Sequence, residues 1–247
     1  HKRPCAGTCP ARSWAITPKS NEEKGASRPV IDMDAVSRDI ETGRVELAAS
    51  SKAILSLGTR RRIWRAMIDP QNDEASYRHR IELDGMCVRR VQHLWDRVFP
   101  GDNRIEEMLA LAQKLVNQQI NPKQAENRAE DFPVDVSGEV ENITAPTQSA
   151  ILIAEGAAHM TISACYRNPD YNTAEGETAD DELLPDSLDT SYCCASTAAG
   201  ALNWMPIEKT DAPARRTFWT WYLDEAIPTA LTYYTQTEPA RKLSALS

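Results

Sequence analysis

Apolar residues recur at helical spacing along most of the chain, and no segment alternates convincingly with a period of two. From Ala35 onward the pattern predicts a first helical region over Val36 to Ile68. It is interrupted at Gly58-Thr59, where Thr59 can cap the segment RRRIWRAMI. A long helix is expected from Ser76 to Phe99, with Ile81, Val88, Val91, Leu94, Trp95 and Val98 tracing one face. The turn Phe99-Pro100-Gly101-Asp102 stops it, because Pro100 cannot continue a helix and Gly101 tolerates a left-handed conformation. The next helix, Asn103 to Gln119, places Ile105, Met108, Leu109, Ala112, Leu115 and Val116 inside. Asn121 and Pro122 start another short helix in the favoured cap-then-proline order, and DFPVDVSGEVENITAP reads as a loop.

A helix is predicted from Thr147 to Tyr166, with Ile151, Ala154, Ala158, Ile162 and Cys165 on one face. Gly156, Ala157 and Ala164 leave room for a neighbouring helix to approach closely. An acidic loop from Asn168 to Pro185 leads to a small-residue helix (Ser187 to Trp204) and an aromatic helix (Pro213 to Tyr234). The expected fold is all-α, a single-domain bundle of about six to eight helices with short antiparallel connections. Residues 1–34 lack an apolar period and read as a disordered or loosely attached tail, leaving 35–247 as the helical domain.

The aromatic helix packs Phe218, Trp219, Trp221 and Tyr222 into five residues. A stacking platform for nucleic acid would interleave such rings with basic residues, yet Arg215 and Arg216 lie only at its start and Asp224 and Glu225 follow. The block therefore reads as core, with Phe218, Trp219 and Tyr222 buried and Trp221 partly exposed.

No stretch reaches the roughly 18 apolar residues of a membrane-spanning helix, and the N-terminus lacks the apolar centre of a signal peptide, which predicts a cytoplasmic protein. Cys87 and Cys165 fall on apolar helix faces, Cys193 and Cys194 are adjacent and poorly placed for a mutual disulfide, and Cys5 and Cys9 lie in the tail. Charge changes the picture most. Between Ala129 and Glu208 there are fifteen acids and one basic residue, Arg167, a formal −14, leaving +6 on the rest of a chain whose total is −8. Such an asymmetry makes a local field that attracts a basic partner. The basic cluster TRRRIWR, Thr59 to Arg65, opposes it, and a net-acidic body argues against general nucleic-acid binding.

Catalytic patterns are weak. His93 with Asp96 and Glu155 with His159 share helix faces and could in principle meet across two helices to hold a metal, but neither pair has the Glu-x-x-His spacing of diiron proteins. The stretch DYNTAEGETADDE departs from a calcium loop at Ala174, Glu175 and Asp181. Gly-rich phosphate loops, a serine nucleophile elbow and an evident Cys–His pair are absent from the sequence. The expectation is no catalytic residue, no metal and no cofactor.

The segments RRRIWRAM, CVRRVQHLWDRVFPGDNRIEEMLALA, AEGAAHMTISACY and RRTFWTWYLDEAIPTAL occur in this order. Together they resemble the fifth, mostly all-α family of bacterial polymorphic-toxin immunity proteins. The resemblance runs from Arg60 to Leu231 and rests on packing motifs, among them the turn before Arg104, the small residues at Ala157-Ala158, and Phe218-Trp219 with Tyr222-Leu223 before Pro228. It implies a cytosolic inhibitor that binds a cognate toxin stoichiometrically, and the acidic half fits a basic toxin such as a nuclease. The expected partner-binding face comprises Asp180, Asp181, Glu182, Asp186 and Asp189, with Glu175 and Glu177 extending its field. Asp186 is also placed to cap the helix that follows. The alternatives are a metal-dependent helical hydrolase or oxidoreductase using His93, Asp96, Glu155 and His159, and a helical scaffold or regulatory binding protein.

Overall fold

A computed structural model describes residues 31–173, 180 and 188–232. The tail cysteines Cys5 and Cys9, the acids Glu175, Glu177, Asp181, Glu182 and Asp186, and the end of the aromatic helix lie outside the described residues. Among the described residues eight α-helices follow in order: α1 Met33–Ala49, α2 Leu57–Ala66, α3 Asp73–Val98, α4 Arg104–Val116, α5 Pro122–Glu139, α6 Ala145–Cys165, α7 Thr190–Ala199 and α8 Ala212–Trp221. The described residues contain no strand, so the protein is all-α, as its periodicity implied. None of these helices is long and apolar enough to cross a membrane.

Side chains stop most of the helices from fraying. Asp32, Ser56, Asn72, Asn121, Thr144, Asp189 and Asp211 each accept a first-turn backbone N–H, satisfying donors that have no partner within the helix. Two caps differ from expectation. Ser56, three residues before Thr59, caps α2, and Thr59 instead donates its hydroxyl to Glu46 on α1. The N-cap of α7 is Asp189, and that helix starts at Thr190 and ends at Ala199, shorter at both ends than its apolar run suggested. The stretch expected as a loop after Asp131 is largely helix: α5 continues through Pro133 to Glu139, burying Phe132, Pro133 and Val136. Burial of that face overrides the local cost of an internal proline.

Helix α6 lies at the centre, packed against α3, α4, α5 and α7, while α7 also meets α3 and α8. These neighbours cover most of α6 and leave one stripe, Ile151, Glu155, His159 and Ile162, partly exposed. Hence Ile151, Ile162 and Cys165, expected on its inner face, are only half-buried, whereas Ile153, Ala157, Met160 and Ala164 are buried. The small residues do admit a neighbour. A methyl group built on Gly156 would lie 3.2 Å from Cys194 Sγ and 3.3 Å from Cys193 Cβ of α7.

The aromatic block is core. Phe218, Trp219 and Tyr222 are buried, and Trp221 is half-buried under Arg90, whose guanidinium sits 5.0 Å from its ring. At Tyr222 the helix widens into a π turn, Tyr222–Ala226, and the Tyr222 hydroxyl accepts the indole N–H of Trp64 at 2.7 Å. Cys87, Cys165, Cys193 and Cys194 are all free thiols.

Candidate functional site

Helix α2 begins beside the C-terminal end of α1, held there by Glu46, whose carboxylate accepts the Ser56 amide at 2.7 Å. One turn into α2, Arg60 points inward and is fully buried. Its Nη1 donates to the Leu55 carbonyl at 2.7 Å and to Asp180 Oδ2 at 3.2 Å, and its Nη2 donates to Asp180 Oδ1 and to Asp189 Oδ2 at 2.6 Å. The rings of Trp64, Tyr192 and Trp219 surround the guanidinium at 5.8, 5.9 and 5.4 Å. Burial by itself disfavours this charge and lowers its pKa, but the two carboxylates more than offset that and hold it above the ordinary arginine value.

Two carboxylates on one guanidinium leave an excess negative charge in the interior, and further donors absorb it. Asp189 accepts the Ser191 hydroxyl and the Tyr192 amide as it caps α7, so the helix dipole also favours its ionised form. Burial would raise the Asp189 carboxyl, but Arg60, Ser191 and Tyr192 hold it below the usual value. Asp180 accepts Asn203 Nδ2 at 3.3 Å. One buried arginine thereby joins α2, the acidic segment, the start of α7 and the loop after α7.

The sequence placed Asp180 and Asp189 on an exposed face. The structure places Asp180 inside, only 5% exposed, and draws Asp189 partly in, because burying Arg60 without a counter-ion would be far more costly than drawing acids inward. The basic cluster around Arg60 disperses in the same way: Arg62 reaches Asp39 at 3.5 Å and Arg65 donates to the Thr173 carbonyl at 2.9 Å. Part of the charge asymmetry is thus neutralised within the molecule.

The other candidates separate. His93 and Asp96 are exposed on α3, whereas Glu155 and His159 are half-buried neighbours on α6, 3.9 Å apart. Among the described residues no three His, Cys, Asp or Glu side chains form a metal-holding group. A second buried acid, Asp84 on α3, has an oxygen with no hydrogen-bond partner among the described residues. Burial pushes its carboxyl up to about 7, against the weaker pull of Arg80.

Asn203 belongs to a loop after α7, where the apolar run predicted helix through Trp204. Gly200 was the available signal: it adopts φ +61 and ends α7.

The sequence model of a family described as immunity protein Imm5 matches residues 40–229, about three quarters of the chain. The chain belongs to the Imm5 immunity protein family. The matched span contains the whole Arg60 cluster and helices α2 to α8. No curated protein matches the chain. Membership in Imm5 implies neutralisation of a cognate toxin, and the four packing segments that carried the resemblance fall in helices and their caps, apart from the turn Pro100-Gly101-Asp102 between α3 and α4.

Proposed function

We propose that this Imm5 chain is a non-enzymatic cytoplasmic inhibitor that binds a basic bacterial toxin stoichiometrically. The family match carries the proposal, and the formal −14 between Ala129 and Glu208 supports a basic partner such as a nuclease. In this reading the acidic run has two roles. Asp180 and Asp189 anchor it on Arg60, and Asp181, Glu182 and Asp186, with Glu175 and Glu177, supply the charge that steers the toxin.

The test begins with a search for a toxin-domain gene next to this one and co-expresses that domain with the chain. Cells carrying both should survive, and cells with the toxin alone should not. Failure to protect would remove the immunity reading. With an inactive toxin as ligand, Asp181→Asn with Glu182→Gln should slow association at low salt and flatten its salt dependence while the melting temperature holds. Unchanged association at low salt would return the acidic run to a solvated connection and leave immunity itself standing.

A further inference from the structure

Among the described tryptophans, Trp64 and Trp221 are half-buried and Trp95 and Trp219 are buried, but Trp204 is 63% exposed. It sits in the loop between α7 and α8, followed by exposed Pro206 and by Ile207, itself 42% exposed. An exposed indole on a drifting loop would mean little. This loop is fixed from several directions.

Lys52, from the connection between α1 and α2, donates to the carbonyls on either side of Trp204: Asn203 at 3.2 Å and Met205 at 2.8 Å. The Met205 amide donates back to the Leu202 carbonyl at 3.1 Å, closing a tight turn with Asn203 and Trp204 at its centre. The Asn203 amide donates to the Tyr192 hydroxyl at 3.3 Å, and its side chain reaches Asp180. Arg215 holds the Ala201 carbonyl, and the Asp211 amide donates to Ala199 at 3.0 Å. The backbone under the indole is therefore set by groups on α7, α8 and the α1–α2 connection, together with Asp180.

We infer that Trp204 is the anchor by which this protein docks on its toxin, inserting into an apolar socket bordered by basic residues; this rests on the immunity reading above. A tryptophan has few rotatable bonds and a large apolar body, so on a fixed turn it loses little freedom when it is buried by a partner. Residues of this kind carry much of the affinity of protein interfaces. The sequence on either side of the turn favours a basic partner. Between Asn168 and Asp211 it has ten acids and a single basic residue, Lys209, and of these acids Asp180 and Asp189 are paired with Arg60. Glu208 and Asp211 are exposed just beyond Trp204. A second copy of this chain would bring these acids against their own equivalents across a two-fold axis, whereas a basic toxin would meet complementary charge.

The experiment measures binding of an inactive form of the toxin domain against which the chain protects cells to the full chain and to Trp204→Ala, Trp204→Phe and Ile207→Ser. Trp204→Ala should weaken binding about tenfold or more, chiefly by faster dissociation, with Trp204→Phe intermediate and Ile207→Ser smaller. Melting temperatures should be unchanged, because the side chain touches mostly solvent. Wild-type binding matched by Trp204→Ala would overturn the anchor and leave the immunity reading intact. Sedimentation provides the second arm: a wild-type dimer that Trp204→Ala converts to monomer, with toxin binding unaltered, would assign the patch to self-association and overturn the proposal. A wild-type chain that protects cells against no toxin domain would remove both readings together.

Discussion

Arg60 and Asp180 stand 120 residues apart in sequence and are paired inside the protein, with two guanidinium nitrogens on the two carboxylate oxygens. Asp189 shares the same guanidinium, so the removal of different members has unequal effects. Arg60→Leu strands the buried Asp180 carboxylate and the partly buried Asp189 and should cost about 3–5 kcal/mol, while Asp180→Asn, which leaves Asp189 on the cation, should cost less. Urea melts of the two variants give the order directly. Equal losses would mean that Asp189 does not share the charge.

The same cluster sets an acid limit. The Asp189 carboxyl is held below its ordinary value, so the folded state binds its proton more weakly than the unfolded chain. Its contribution is present above the unfolded value near pH 4 and is lost as the pH falls from there through the folded value. Replacing Asp189 by Asn should flatten stability against pH below about 4, as measured by thermal melts in a pH series.

Asp84 has the opposite sign. Its carboxyl is raised to about 7, so the folded state holds the proton more tightly between the unfolded value and 7. The stability it contributes is complete below about pH 4 and declines as the pH rises toward 7, by at most about 1.4 kcal/mol per pH unit. Asp84→Asn should therefore be more stable than wild type at pH 8 and close to it at pH 4. A difference between the two proteins that stays constant with pH would show that Asp84 does not titrate in this way.

Gly156 permits the contact between α6 and α7. Alanine there gains about 1 kcal/mol of helix propensity but meets Cys194 Sγ at 3.2 Å and Cys193 Cβ at 3.3 Å. The Cβ is attached to a backbone that cannot easily retreat, so the clash should win, with Gly156→Ala less stable by about 1–3 kcal/mol. Denaturant midpoints decide the sign.

In the aromatic helix, Phe218→Ala or Trp219→Ala should cost about 3–5 kcal/mol through the cavity each leaves. Trp221→Ala, at a half-buried position, should cost clearly less. Trp219→Ala also removes one ring from around Arg60. A variant of Phe218 or Trp219 that kept the wild-type melting temperature would mark that side chain as an interface residue.

The sequence by itself determined the helices, because helix formation depends on relations within three or four residues. The periodic faces of α3 and α4, the stop at Gly101, the proline start of α5 and the burial order within Phe218 to Tyr222 were all legible on that scale. Where neighbours cover most of a helix and only a narrow stripe meets solvent, as in α6, or where burial outweighs a local penalty, as at Pro133, the short-range pattern pointed elsewhere. What only the tertiary structure decided were the long-range pairings. The acids read as a surface include Asp180 and Asp189, which the fold spends on Arg60, and the indole read as the end of a helix is the exposed tip of a braced turn. A lone arginine in a basic run looks the same in sequence whether it faces water or two carboxylates. Which one it meets is settled by the desolvation cost of the packed interior, and that cost exists only once α2, α7 and α8 have come together around it.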